Sequence, residues 1–271
     1  MRLLRLFVVI LFVIITALFS FFYVSEKLNT DKTIPVITIE DEMIDVSFKA
    51  TEKELLKGVT AYDEKDKDIT DRIIIESVSK FLDKGVCKVT YAVCDNDNNV
   101  ANATRKIKFK NYESPKFSMN ASTCYSLYET INVSDVISAY DCIDGDISRS
   151  VIVTSEEFMP SVAGVFSIEI SVTNSKGDKS IVKIPLVVED RSISSPKIEL
   201  SEYLIYADVG EEIDFSKYLV SAKDSKGADL LNAVRIETNA DLNREGTYSV
   251  HYYVTDSKGA QGHTILNVIV G

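Results

Sequence analysis

Gly246-Thr-Tyr-Ser-Val-His-Tyr-Tyr-Val254 alternates without a break: Tyr248, Val250, Tyr252 and Val254 fall on one side of an extended chain, and Thr247, Ser249, His251 and Tyr253 on the other. Successive side chains of a strand point to opposite faces, so this stretch reads as a strand with one face on a core and one mostly in water. After it come Asp256-Ser-Lys-Gly259 and a second strand-like run, Gln261 to Val270. Ser-Lys-Gly supplies the positive-φ residue of a short hairpin loop, so the two runs pair antiparallel.

The same hairpin occurs twice more. Gly85-Val-Cys-Lys-Val-Thr-Tyr-Ala-Val93 and Gly164-Val-Phe-Ser-Ile-Glu-Ile-Ser-Val172 correspond to the opening stretch, each followed by a turn and a final alternating run ending near Phe109 and Val188. In the first copy Asn98-Asn99 takes the turn, because Asn also tolerates the left-handed region. Upstream, Pro35-Val-Ile-Thr-Ile, Pro115-Lys-Phe-Ser-Met and Pro196-Lys-Ile-Glu-Leu recur about 80 residues apart, as do Thr60-Ala-Tyr-Asp63, Ser138-Ala-Tyr-Asp141 and Ser221-Ala-Lys-Asp224. Three anchors in one order mark an internal repeat. Several short strands per unit and no amphipathic helix beyond a turn near Thr51 to Lys57 imply an all-β chain of three tandem antiparallel β-sandwiches, over 34–111, 115–190 and 196–271.

These units resemble bacterial surface Ig-like modules of the DUF5011 and HYR kind, whose pattern runs Ala-x-Asp-x-x-Asp-Gly-Asp-Ile-Thr and then Gly-x-Tyr-x-Val-x-Tyr-x-Val. Ala139-Tyr-Asp-Cys-Ile-Asp-Gly-Asp-Ile-Ser148 matches best, Ala61-Tyr-Asp-Glu-Lys-Asp-Lys-Asp-Ile-Thr70 places Lys67 where Gly is usual, and Ala222-Lys-Asp-Ser-Lys-Gly-Ala-Asp-Leu230 departs most. The resemblance implies Ig-like stalk or adhesion units with no shared catalytic residues.

At the amino terminus Arg2 and Arg5 precede Leu6 to Val24, which is apolar except for Thr16, Ser20 and Tyr23. That is enough helix to cross a hydrocarbon layer of about 30 Å. Residues 1–5 then read as a cytoplasmic tip, 6–24 as a transmembrane signal anchor in the lipid bilayer and 25–33 as a linker. The basic flank places the amino terminus in the cytoplasm and the bulk of the chain outside the cell membrane, in a single pass. A cleaved signal peptide is the rival reading; it has a shorter apolar core and a small-x-small site, which Ala17-Leu-Phe19 and Phe22-Tyr-Val24 do not supply.

The composition, 45% hydrophobic and 26% charged, is that of a globular chain, and the formal net charge of −11 argues against nucleic acid as a partner. Two histidines, His251 and His263, and no tryptophan leave little for a Ser-His-Asp triad or a histidine-rich zinc site, so no catalytic residue is assigned and an enzyme is not expected. Both histidines are expected at the surface. Asn102, Asn120 and Asn132 head glycosylation sequons that matter only in a host that uses them.

In such a sandwich the loop after the second strand and the final hairpin lie at one end. Asp63, Asp66, Asp68 and Asp95 would gather there in the first unit, and Asp141, Asp144 and Asp146 in the second, a set of oxygens suited to Ca²⁺. The EF-hand spacing is absent, and aspartates that hydrogen-bond their own turn are the competing reading. No other cofactor is expected. Among the four cysteines, Cys87 takes the core position of Phe166 and Tyr248, and Cys94 has the opposite parity on the same strand. Cys124 and Cys142 are the pair expected to form a disulfide, with four free thiols as the alternative.

Two functions fit these readings. One is adhesion or binding of cell-wall or host glycans at the cell surface, through exposed aromatics for which Tyr203, Tyr206, Tyr218 and Tyr253 are candidates. The other is a structural stalk, on the order of 100 Å long at ~3.3 Å per strand residue, that spaces or contacts other surface proteins.

Overall fold

The computed structural model describes residues 2–29, 32–130, 132–154, 161–192 and 194–271. Met1 of the expected tip, Thr30 and Asp31 of the linker, and Ile193 between the second and third expected sandwiches lie outside the described residues. Helix α1 (Arg2–Asn29) contains a stretch, Arg5–Ser25, long and apolar enough to cross a membrane by length and composition.

The chain divides into two compact units, Met1–Lys110 and Asn111–Gly271. In the first, β1 (Val36–Ile39), β3 (Val59–Asp63) and β4 (Lys67–Asp68) form one sheet. Facing it, β2 (Met43–Val46), β7 (Val100–Phe109), β6 (Val86–Cys94) and β5 (Ile74–Val78) lie in that order. Alternation decides the faces: Cys87, Val89, Tyr91 and Val93 are buried in the core with Val59, Ala61 and Ile107, while Lys88 on the opposite face is exposed. A capping box starts helix α2 (Glu52–Leu55), in which Thr51 and Glu54 satisfy each other's backbone N–H groups. Its end is tied to the core, because the Tyr91 hydroxyl donates to the Leu55 carbonyl at 2.7 Å and buried Arg105 donates to the Tyr91 hydroxyl, Lys57 carbonyl and Leu55 carbonyl.

The second unit holds two sandwiches. One pairs the sheet of β8 (Lys116–Met119), β10 (Ile137–Asp141) and β11 (Gly145–Asp146) with a sheet in the order β12 (Ile152–Thr154), β13 (Gly164–Thr173), β14 (Lys179–Glu189), β9 (Cys124–Ser126). The other pairs β15 (Lys197–Leu200) and β17 (Leu219–Lys223) with β18 (Arg235–Thr238), β19 (Gly246–Thr255), β20 (Gln261–Val270) and β16 (Leu204–Ala207). The hairpins read from sequence are present as β6–β7, β13–β14 and β19–β20, all antiparallel.

One expectation needs correction. The sandwiches are not wholly antiparallel: β2, β9 and β16 each run parallel to the last strand of their own sandwich. The chain crosses to the other sheet after its first strand without turning back, so the next segment arrives in the direction of the final strand. The second and third sandwiches also touch. Leu204 of β16 is buried in the core built around Phe117, Ile168, Ile170 and Leu186, with Tyr203 and Ile269 packed against that same core. Side chains of the third repeat thus plug the end of the second.

Candidate functional site

The acidic loops come together with the hairpins as expected, but their oxygens face donors of the chain itself. Asp63 Oδ1 accepts from the amides of Lys65 and Asp66, and Asp141 Oδ1 from those of Ile143 and Asp144. Asp66 then clasps the hairpin, accepting from Asn96 N at 2.7 Å and Asn96 Nδ2 at 2.8 Å, while Asp144 takes Ser175 N at 2.6 Å and Ser175 Oγ at 2.7 Å. Asp95 Oδ1 closes its own turn through the amides of Asp97 and Asn99. Asp68 and Asp146 accept from Thr70 and Ser148, whose hydrogen bonds hold both carboxyls below the usual aspartate value. Among the described residues no three His, Cys, Asp or Glu side chains come together as a metal site. The seven aspartates expected as calcium ligands thus take part in Asx turns and clasps, in which an ionised carboxylate accepts from donors of the chain.

Buried polar groups also lie beside these loops in the second sandwich. Tyr112 donates to Asp178 Oδ2 at 2.7 Å and accepts from Asn174 Nδ2, which also reaches Asp141 Oδ2. Burial and then the Asp178 hydrogen bond push the Tyr112 hydroxyl far above its ordinary value, so it stays a donor.

The expected disulfide is absent: Cys124 and Cys142 are free thiols. Cys142 contacts the Glu113 carbonyl at the loop end of the second sandwich, whereas Cys124 lies on β9, 3.8 Å from His263 Nδ1 at the joint with the third. Opposite ends of one sandwich are beyond the span of an S–S bond.

The joint collects the ionisable groups that the sequence scattered. His263, expected at the surface, is 7% exposed on the outward face of β20. Its Nδ1 lies 2.7 Å from Glu189 Oε1 and its Nε2 lies 2.9 Å from His251 Nδ1. Glu189 Oε2 pairs with Arg191 Nε at 3.2 Å, and Arg191 Nη1 donates to the His263 carbonyl at 2.9 Å. The Tyr253 ring stacks on His263 with centroids 4.3 Å apart, and the Arg235 guanidinium sits 5.5 Å from the Tyr253 centroid. Burial alone would raise the Glu189 carboxyl; the His263 hydrogen bond and the charges of His263, Arg191 and His251 outweigh it, and the group lies below the usual glutamate value. Burial and then the His263 charge lower His251.

Cys124, His263 and Glu189 have the residue types of a nucleophile, base and orienter. The geometry is wrong for that chemistry, because Cys124 and Glu189 approach the same nitrogen and burial pushes the thiol up to about 12. One signal for this joint was present in the sequence. Ile265 and Ile269 sit on the outward face of β20 beside His263, where β7 of the first repeat has Thr104 and Lys108. Apolar residues on both faces of a strand mean that both are covered.

The four candidate aromatics are engaged within the chain. The Tyr206 hydroxyl accepts from Phe117 N at 2.8 Å, the Tyr203 hydroxyl from Leu200 N at 3.2 Å, and Tyr218 packs on the third core.

Residues 205–270 match the family model of the bacterial surface protein Ig-like domain. The match covers β16 to β20, the part of the chain that includes the His251–His263 pair. The pesticidal crystal protein Cry22Aa of Bacillus thuringiensis is 28% identical over 244 residues, covering 86% of this chain and 33% of that protein. An uncharacterised 81.3 kDa protein of Acholeplasma phage L2 is 28% identical over 136 residues, covering 49% of this chain and 18% of its own length. The chain thus spans about a third or less of the curated relatives it matches. Among solved structures, Drosophila N-cadherin EC1-4 aligns at a TM-score of 0.25 with 14% identity, over 88% of this chain and 75% of that one. The CBM51-2 and INT domains of Clostridium perfringens ZmpB, solved with GlcNAc, align at 0.23 with 14% identity, over 88% of this chain and 42% of that one.

Proposed function

We propose that the chain is a membrane-tethered extracellular support built of Ig-like sandwiches, in which the second and third sandwiches form one stiff segment that can carry a partner. The observation that carries this reading is the joint of the second and third sandwiches, where Leu204, Tyr203 and Ile269 complete a neighbouring core and a buried polar layer covers β20. A core shared across a joint resists bending, which a spacer needs. The apolar helix α1 serves as the tether, with its amino terminus in the cytoplasm, and the match of residues 205–270 to a bacterial surface domain fits that placement. In this reading the chain performs no chemistry and needs no cofactor.

One observation favours adhesion instead: Tyr62 and Tyr140, at matched positions before the clasp aspartates, and Tyr128 expose their rings. Binding of residues 25–271 to purified cell wall and to mucin-type glycans, with Ca²⁺ and with EDTA, separates the two. The support reading expects no saturable binding in either buffer. Saturable binding lost in Tyr62→Ala and Tyr140→Ala would replace it with adhesion.

A further inference from the structure

The two histidines of the chain meet in line. Their nearest nitrogens are 2.9 Å apart while the ring centroids are 5.2 Å apart and the planes 20° from parallel, the arrangement of an N–H···N hydrogen bond between imidazoles. Glu189 is an acceptor, so His263 Nδ1 carries a proton toward it. His263 Nε2 then has a lone pair for His251 Nδ1–H. This chain of bonds is complete with both imidazoles neutral. It also tolerates one added proton, since either ring can carry the charge while a single proton lies between the facing nitrogens. A second added proton sets N–H against N–H at hydrogen-bond distance, with two positive charges side by side.

Glu189 and Arg191 come from the end of the second sandwich, Cys124 from β9, Arg235 and Glu237 from β18 and Tyr253 from β19. Among the described residues Glu189 is the carboxylate that accepts from His263, and Glu237, directly across from His251 in the β18–β19 register, is paired with Arg235. The joint is also short of partners elsewhere: Thr123 Oγ1, Thr264 Oγ1 and Asn267 Oδ1 are buried without a hydrogen-bond partner among the described residues. Such groups favour any state that lets in water.

We propose that Glu189, His263 and His251 form an acid-sensitive latch that keeps the second and third sandwiches docked at neutral pH and releases them when both imidazoles are protonated. The direction follows from linkage. His251 is lowered in the docked state, so docking is favoured above the ordinary imidazole value of 6.5 and loses that support as pH falls below it. Glu189, also lowered, stays ionised through this range and loses its contribution only below the ordinary value of 4.5.

With only two histidines, the full chain in lipid nanodiscs gives two imidazole signals when histidine is isotope-labelled. The expected titration from pH 7.5 to 4.5 has two separated steps. The second should coincide with at least a tenfold loss of hydrogen-exchange protection, corrected for the intrinsic rate, in Gln261–Val270 but not in Val100–Phe109. His251→Gln keeps an N–H for His263 and takes no proton, so its protection should persist to pH 4.5. Two histidines titrating together near 6.5 would overturn the proposal. So would protection that ignores the second step, or a His251→Gln chain that loosens as the parent does. The parent titration decides the matter even if the variant fails to fold.

Discussion

Leu204→Ala tests whether the second and third sandwiches are one cooperative body. Leu204 belongs by sequence to β16 of the third repeat but is 4% exposed within the core of the second. Truncating a buried leucine removes its transfer energy and leaves a cavity, together about 2–5 kcal/mol. Close packing by Tyr203 and Ile269 allows little collapse, so a loss of about 3–4 kcal/mol is expected. That is a large part of the ~5–15 kcal/mol of a typical domain. The assay is native-state hydrogen exchange on the full chain at pH 7.5. Protection should fall in β13 and β14 as well as in β19 and β20. Leu266→Ala, fully buried in the third core alone, is the comparison and should loosen β19 and β20 first. A Leu204→Ala chain in which only the third sandwich loses protection would refute the shared core.

Three further outcomes are specific. Gly262→Ala should cost about 1–3 kcal/mol by denaturant unfolding, because a Cβ there would lie 2.3 Å from the Pro196 carbonyl oxygen, a backbone atom that cannot swing aside. Lys67→Gly should stabilise the first sandwich by up to about 1 kcal/mol: Lys67 has φ 69°, close to the 73° of Gly145 at the matching position, and the strain removed exceeds the chain entropy glycine adds. Ser148→Ala should return the Asp146 carboxyl toward its ordinary value in an NMR titration, since the Ser148 hydrogen bonds are the main cause of its lowering. The linked stability, present above pH 3.8 and lost as pH falls through the lowered value, should shrink with it.

The strands were legible because period-two alternation is written locally: Cys87, Val89, Tyr91 and Val93 are buried as their parity requires. The parallel placement of β2, β9 and β16 was not, because it depends on which sheet a short segment joins and no local pattern records that. The aspartates were found as a group, but not the donors that face them, such as Asn96 about thirty residues away from Asp66. His263 depends on Glu189, 74 residues distant, a partner that no local pattern around β20 records.

The parallel strand at each sandwich edge sets how a load would pass through the molecule. Near the entry and exit of each repeat, β2 lies beside β7, β9 beside β14 and β16 beside β20, joined by bonds such as Lys106 N to the Glu42 carbonyl, Val187 N to the Thr123 carbonyl and Asn267 N to the Tyr203 carbonyl. Tension applied at the two ends of a repeat pulls such strands in opposite directions along their length. The ladder is then sheared, with its bonds strained together, whereas an antiparallel hairpin pulled from its open end would unzip one bond at a time. A repeat held at one end and dragged at the other would hold until a whole ladder gives way.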